Sequence, residues 1–455
     1  MMKRLLIVVL ASSVSMVKAQ SDELAEDFKK LFYHALTTEQ SYQWLRSLCK
    51  DVGPRMAGSP GDRKAVEWSV ALMKKLGFDT VYTLPVDVRH WERGRESAIV
   101  RLGGKKIQLN VTALGGSVST GKRPLRAEVV EVRDFDHLKE LGERVHGKIV
   151  FYNYRMRKDY ISTGAGYGDA VKYRWSGAVE ASKYGAVAVL IRSVTTRADD
   201  YTHTGVMTYE GAEVKIPAGA LSYLAADQLE QILRQHQNVL MDLTLESFDR
   251  GRTTSYNVIG EMYGTERPNE VLIAGGHLDS WDPGEGAHDD GAGVVHSIAA
   301  AAYLRQLGIP TRHTVRVVLF ANEEFGLDGA KQYAEWVKNN DTKTIRLAVE
   351  SDGGGLSPRG FTLDAPDSIV QKVRSYREFF YPYGMYEMGK GGSGADVNQL
   401  KSTGAVLAGL RVDGHRYFDL HHTSRDVFEE VNPRELEMGS AAMAAFLLLF
   451  DQLIF

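Results

Sequence analysis

Residues 286–293 read Gly-Ala-His-Asp-Asp-Gly-Ala-Gly. One imidazole, His288, and two adjacent carboxylates, Asp289 and Asp290, stand in a run otherwise made of glycine and alanine. Similar clusters recur along the chain: His277-Leu-Asp279, Glu323-Glu324, Glu350-Ser-Asp352 and Asp419-Leu-His421-His422-Thr423. Each has an ordinary reading by itself. Asp289-Asp290 could cap a helix and compensate its dipole, Glu323-Glu324 could be a solvated face, and His277 a satisfied histidine. Together they do not. Carboxylates converging on one place repel, and burying them unpaired is costly. A divalent cation relieves both problems. Imidazole mixed with carboxylate, with neither thiolate nor an all-oxygen cage, is a ligand set for zinc. An inventory of three or more carboxylates and two histidines suits two ions about 3.5–4 Å apart, which hold and ionise a bridging water and polarise a carbonyl. One carboxylate should bridge the ions. One acid should stay unligated to take a proton from that water and hand it to the leaving group. The pair Glu323-Glu324 suits such a division.

These residues must be brought to one place by the elements before them. Val271-Leu-Ile-Ala, Thr314 to Ala321, Arg346 to Val349 and Ala405 to Val412 read as short buried strands, with an amphipathic helix over Gly293 to Leu307 between the first two. Strands alternating with helices imply a mostly parallel sheet covered on both faces. In such a sheet ligands bind at the carboxyl ends of the strands, and the clusters follow those ends. Upstream, Asp22 to Leu48 and Ala65 to Leu76 have helical spacing, while Val81 to Val88 and Ser97 to Leu102 look like strands. From about Gly121 to Ser247 a separate set of strands and helices reads as an inserted α/β domain; its tract Tyr154 to Tyr173 reads as a solvated loop. Asn432-Pro433 is a helix start, with Asn as cap and Pro in the first turn. It opens a final helix over Arg434 to Phe455 that is apolar yet broken by Asp451 and Gln452, so a buried helix is expected rather than a membrane span.

Composition narrows the classes. The chain has 455 residues, 44% hydrophobic and 25% charged, with a formal net charge of -3. It is long enough for two or three domains of roughly 100–200 residues each. No long basic run suggests nucleic acid. Lys3-Arg4, the apolar stretch beginning at Leu5, and Val17-Lys18-Ala19 before Gln20 form a signal peptide over residues 1–19. Export to an extracellular, periplasmic or lysosomal compartment follows. Cys49 is the only cysteine, so no internal disulfide can form. Asn110-Val-Thr112 and Asn340-Asp-Thr342 match the glycosylation acceptor pattern.

The clusters resemble the family of co-catalytic dizinc aminopeptidases and glutamate carboxypeptidases. Its pattern is H-x-D, then G-[AI]-x-D-[DN]-x-x-G, then E-E-x-G, then an Asp after the next strand, then a His before Thr. Here these are His277-Leu-Asp279, Gly286 to Gly293, Glu323-Glu324-Phe-Gly326, Asp352 and His422-Thr423, in family order. The resemblance implies two Zn2+ per subunit. Asp289 would bridge them, His277 and Asp352 would complete one site, and Glu324 and His422 the other. Glu323 would be the general base, Asp279 would orient the His277 ring from behind, and His288 would not be a ligand. The Asp289-Asp290 bond is expected to be cis. Many relatives carry Tyr immediately before the last ligand; here His421 stands there and could donate the same hydrogen bond to an oxyanion. Ser393 and Asp396, in Gly391-Gly-Ser-Gly-Ala-Asp396, resemble a substrate-side loop.

The implied fold is α/β: a mixed, mostly parallel sheet flanked by helices, formed by residues 20–120 and 248–455, with a protease-associated domain inserted at 121–247. The implied function is a secreted dizinc exopeptidase acting on dipeptides or short peptides with free termini, an aminopeptidase on longer peptides being the alternative. A catalytically dead binding module would require lost ligands, and none is lost. The insert is expected to lid the site or support a homodimer; no nucleic-acid or membrane partner is expected.

Overall fold

The structure, a computed structural model, describes residues 22–455; the signal peptide expected over 1–19 lies outside them. Residues 22–38 are helical, and Leu24, Phe28, Leu31 and Phe32 are all buried. The helix does not run through to Leu48. It breaks at Glu39, whose φ is 50°, and resumes over Gln40–Ser47. Thr37 and Thr38 explain the break: their hydroxyls donate to the carbonyls of Tyr33 and His34 at 2.7 and 2.8 Å, terminating the ladder. The helix Pro60–Lys75 begins where Ser59 Oγ accepts the Asp62 N–H at 3.2 Å, with proline in the first turn.

Thr80–Leu102 and Leu240–Met262 pair antiparallel along almost their whole length. Sequence spacing divides the first into 81–88 and 97–102. The polar stretch between stays in the strand, with irregular register between Arg89 and Trp91 and between Arg93 and Glu96. Trp91 is buried at the middle of it. This ribbon joins two units. On one side lies the sheet Glu387–Lys390, Pro358–Asp364, Val406–Val412, Thr344–Glu350, Arg267–His277, His313–Phe320, Leu240–Met262. On the other lie Leu125–Val132, Ile149–Tyr152, Ala188–Arg192, Ala218–Leu221 and Val111–Ala113. The second unit therefore takes in Val111–Ala113, which a boundary at 121 leaves outside, and the ribbon crosses 247 without interruption. Within it Thr163–Ala170 is helical, where the sequence reads as loop.

The central strands are parallel: Arg267–His277 pairs with both His313–Phe320 and Thr344–Glu350, and the latter with Val406–Val412. Their carboxyl ends are level. His277 is opposite Phe320, and Glu350 is opposite both Gly275 and Gly409. The helix Ala292–Gln306 is not amphipathic in this setting. Every residue from Ala292 to Leu304 is buried, because the helix packs between the sheet and the C-terminal helix Pro433–Leu449. That last helix is capped by Asn432, whose side chain accepts the N–H groups of Arg434 and Glu435. With its continuation to Ile454 it is long and apolar enough to span a bilayer, but its most apolar stretch is 83% buried in the protein, as expected of a core helix.

Candidate metal centre

The level strand ends deliver the predicted residues to one rim. The strand Arg267–His277 ends on His277, and Glu323-Glu324 and Asp352 follow the next two ends. Asp289 sits in the turn before the helix Ala292–Gln306, and the peptide bond Asp289-Asp290 is cis. The small residues of the motif are dictated by space. A Cβ on Gly286 would fall 2.3 Å from Ser280 Cβ, and one on Gly293 would fall 1.9 Å from the Ser351 carbonyl oxygen. Buried Arg55 holds the turn from below. It donates to the carbonyls of Leu278, Glu285 and Gly286 at 2.5, 2.6 and 2.8 Å. Asp426 holds it from the side, accepting the N–H groups of His288 and Asp289 at 2.6 and 3.1 Å.

Asp289 lies at the centre. Its Oδ1 is 3.1 Å from His277 Nε2, which is also 3.7 Å from Asp352 Oδ1. Its Oδ2 is 3.2 Å from His422 Nε2, which is 3.1 Å from Glu324 Oε2. Asp289 thus lies between the pairs His277–Asp352 and Glu324–His422, and the sets of three whose ligand atoms all lie within 4.8 Å of one another are His277, Asp289 and Glu324; Asp289, His421 and His422; and His277, Asp290 and Asp352. Asp290, by contrast, spends its carboxylate on the backbone N–H groups of His277 and Gly293 at 3.1 and 3.0 Å. His288 points away: Gly355 N–H donates to its Nδ1, and its Nε2 is 3.3 Å from the Glu430 carbonyl. Burial lowers its pKa to about 4, so it is a neutral packing residue.

Asp279 stands behind His277. The atom nearer His277 Nδ1 is its main-chain carbonyl, at 3.1 Å; its carboxylate stands at 3.7 Å. The carboxylate also accepts the N–H groups of Glu323 and Glu324, at 3.0 and 3.3 Å, and so fixes the turn that carries both acids. Glu324 is further held by the Trp281 indole N–H at 2.6 Å.

The electrostatics call for added positive charge. Burial pushes the carboxyl groups of Glu323, Glu324 and Asp352 above the ordinary range, with neighbouring carboxylates adding to it for each. Burial opposes protonation of His422, yet Glu324 and Asp289 outweigh it and raise its pKa to about 10. His277 is raised likewise by Asp279, Asp289 and Asp352 against its burial. Asp289 is held well below the usual range against its burial, by His277 and His422. Asp289 Oδ2 and Glu324 Oε1 are buried and make no hydrogen bond. Acceptor atoms without donors, crowded between imidazole nitrogens, fit divalent cations. The donor set suits zinc.

His421 lies beside this centre, its ring stacked on His422 at 3.5 Å and its Nε2 3.6 Å from Asp289 Oδ2. Burial and then His422 hold its pKa well below the usual value, so the ring is neutral. Tyr417, one helical turn earlier, approaches His421 with ring centroids 5.2 Å apart. Burial and Asp289 keep its phenol protonated. Ser393 lines a cavity of about 480 Å³ with Glu350, Asp352, Gly409 and Arg411. Asp396 is fully buried and is not on that lining; both its carboxylate oxygens lack hydrogen bonds. Glu350, which is on the lining, accepts the N–H groups of Ala395 and Val397 on either side of Asp396 at 3.0 and 2.6 Å.

Sequence spacing alone misses Arg55, Trp281, Tyr417 and Asp426. Arg55 comes from a distant segment, while Trp281, Tyr417 and Asp426 follow strand ends but stand outside the ligand clusters at those ends. The run His422-Thr-Ser-Arg-Asp426 offered the one local signal, a carboxylate close behind a ligand.

Comparison with known proteins places the chain in a family. Residues 257–447 match the model of Peptidase family M28. Carboxypeptidase Q of Bos taurus is 32% identical over 94% of this chain and 88% of its own, and that of Xenopus laevis is 34% identical over 92% and 87%. A Peptidase M28 precursor from Shewanella amazonensis has a solved structure that is 38% identical and superposes with a TM-score of 0.90, covering 95% of this chain and 97% of that one. The fold is shared more distantly by BSAP, a zinc aminopeptidase from Bacillus subtilis, at 21% identity and a TM-score of 0.65, covering 89% and 93%. With its rim of shared carboxylate and flanking imidazoles, this chain belongs to peptidase family M28.

Proposed function

We propose that the chain is an exported metallo-exopeptidase that holds two zinc ions and hydrolyses dipeptides or short peptides with free termini. The observation that carries the metal reading is Asp289, whose two oxygens face two different histidine–carboxylate pairs. His277, Asp289 and Asp352 would hold one ion, and Asp289, Glu324 and His422 the other. When bound, such ions lower the pKa of water and polarise a carbonyl. Glu323 is the residue left to move the proton. Its backbone is fixed by Asp279, its carboxyl is raised by burial, and neither triad uses it. It takes a proton from water and delivers it to the departing amine. His421 offers a neutral ring at the rim to donate to the developing oxyanion.

The free-carboxylate reading rests on Arg411. In register, Arg411 lies two residues past Gly409 as Asp352 lies two past Glu350, so guanidinium and metal-site carboxylate reach the same cavity. Arg411 has no ion-pair partner among the described residues. An unpaired guanidinium beside a site that cuts peptide bonds matches a substrate carboxylate. One observation favours the second reading, an aminopeptidase on longer peptides. Arg411 and Glu387 also line an adjoining cavity of about 290 Å³ that runs on to Ile161–Thr163 of the second unit, leaving room for more residues. Hydrolysis of one dipeptide in free, N-acetylated and C-amidated forms separates them. Cleavage of the free form alone supports the dipeptidase; equal cleavage of the amide means that only the amine is read.

A further inference from the structure

The second unit reaches into the metal centre. His277 and His422 are oriented by the same device, a main-chain carbonyl opposite Nδ1, which leaves Nε2 for the ions. For His277 that carbonyl belongs to Asp279, two residues away, at 3.1 Å. For His422 it belongs to Thr204 of the second unit, at 3.2 Å. The contact is reciprocal, since Thr204 N–H donates to the His422 carbonyl at 3.1 Å. Next to it, His203 Nδ1 lies 2.8 Å from the His421 carbonyl.

The segment is itself firmly placed. Thr204 Oγ1 donates to the Ala113 carbonyl at 2.8 Å and accepts from Arg93 at 3.3 Å. His203 N–H donates to Ser193 Oγ at 2.8 Å, and Gly205 carbonyl accepts from Gly115 at 2.9 Å. Buried Arg93 is in turn clamped by Asp282 of the larger unit at 2.8 and 3.0 Å. His422 itself has a φ of 63°, a conformation a non-glycine residue holds only when its surroundings fix it. Gly205 has a φ of 135°, and a Cβ there would stand 2.5 Å from Arg174 Nη1 and 2.7 Å from His422 Nδ1.

We infer that the second unit is a built-in part of the metal centre, its Thr204 carbonyl positioning His422, and not a lid that lifts from the site. The inference rests on His422 being a ligand. Lifting the unit would remove the partner of Nδ1 and free the imidazole to turn its other nitrogen inward, so the unit stays docked while substrate enters from the cavity beside Arg411. Thr204 and Gly205 are positioning residues and touch no reacting atom.

The test measures zinc affinity of the full chain by competition with a chromophoric chelator, together with thermal unfolding of the metal-free protein. Gly205→Ala places a methyl group against His422 Nδ1; Thr204→Val removes the hydroxyl ties while keeping the carbonyl. Both are expected to fold, with an unfolding temperature below that of the unsubstituted apoprotein, to bind one ion with unchanged affinity and to bind the other roughly 10- to 100-fold more weakly. His422→Ala, run in parallel, is expected to lose that same ion. If Gly205→Ala folds and binds both ions at the original affinity while His422→Ala loses one, the inference is overturned. If Gly205→Ala fails to fold, Thr204→Val decides in the same way. If His422→Ala keeps both ions, the ligand assignment itself is overturned, and this inference with it.

Discussion

His277 and His422 approach one carboxylate from its two sides, at 3.1 Å from Asp289 Oδ1 and 3.2 Å from Asp289 Oδ2. Their positions arise separately. His277 closes a central strand, and His422 sits in a tight turn after the helix Tyr417–Leu420. Asp289 offers one oxygen to each, which makes the site one unit in charge as well as in space.

Glu323 is separable from that unit. Glu323→Gln should keep the bound metal and the fold while kcat falls about 10²- to 10⁴-fold. Single-turnover hydrolysis, with metal content measured on the same sample, checks this. Full activity would remove Glu323 from the proton-transfer role.

His421 and Tyr417 are two aromatic side chains near Asp289 that could donate to an oxyanion. His421→Phe preserves an aromatic ring to stack on His422 but carries no N–H. It should lower kcat about 10²-fold at nearly constant KM, whereas Tyr417→Phe should stay within a few-fold of the original. Steady-state kinetics with the reverse pattern would hand the role to the phenol.

Arg411→Met tests how the substrate end is read. Loss of a charge-assisted hydrogen bond should raise KM for a free dipeptide roughly 10- to 100-fold. The C-amidated dipeptide should be unaffected. An equal effect on both would mean that Arg411 acts on packing rather than on the carboxylate.

Glu437 gives a pH-dependent prediction away from the centre. Its fully buried carboxyl accepts the Tyr42 N–H at 2.9 Å and the Tyr303 hydroxyl at 2.7 Å. Burial raises its pKa from 4.5 to about 7. The folded state therefore binds this proton more tightly than the unfolded state. The stability it contributes is complete below pH 4.5 and is lost as pH rises through about 7. Glu437→Gln keeps an oxygen to accept the Tyr42 N–H, offers its amide N–H to the Tyr303 oxygen, and lacks the titration. Denaturant melts should show the variant about 1–3 kcal/mol more stable than the original at pH 8, and the advantage should vanish near pH 4. Equal stability at both pH values would show that the carboxyl titrates normally.

The strand ends were legible because parallel strands bury both faces, so each is a short apolar run whose last residue announces the rim. The positions of His277, Asp289, Glu324, Asp352 and His422 follow from that pattern and from family order. The bracing was not legible. Arg55 holds Gly286 across 231 positions of sequence, and Thr204 holds His422 across 218. Contacts of that span leave no periodic trace. The polar midsection of Thr80–Leu102 hid a continuous strand for a related reason. That midsection is half-buried and holds polar and charged residues on both faces, so the apolar alternation that marks strands is weak there although the backbone pairs along its length. Asp279 stands behind His277 as the sequence pattern places it, but spacing does not reveal that its carboxylate also accepts the N–H groups of Glu323 and Glu324.

The central claim is that Asp289 is shared between two ions. The most direct measurement is metal content by mass spectrometry on purified protein equilibrated with zinc and dialysed, for the original chain and for Asp289→Ala. The account predicts two zinc ions per chain in the first and loss of both from the second. One ion in the original chain, or two retained in Asp289→Ala, would contradict it.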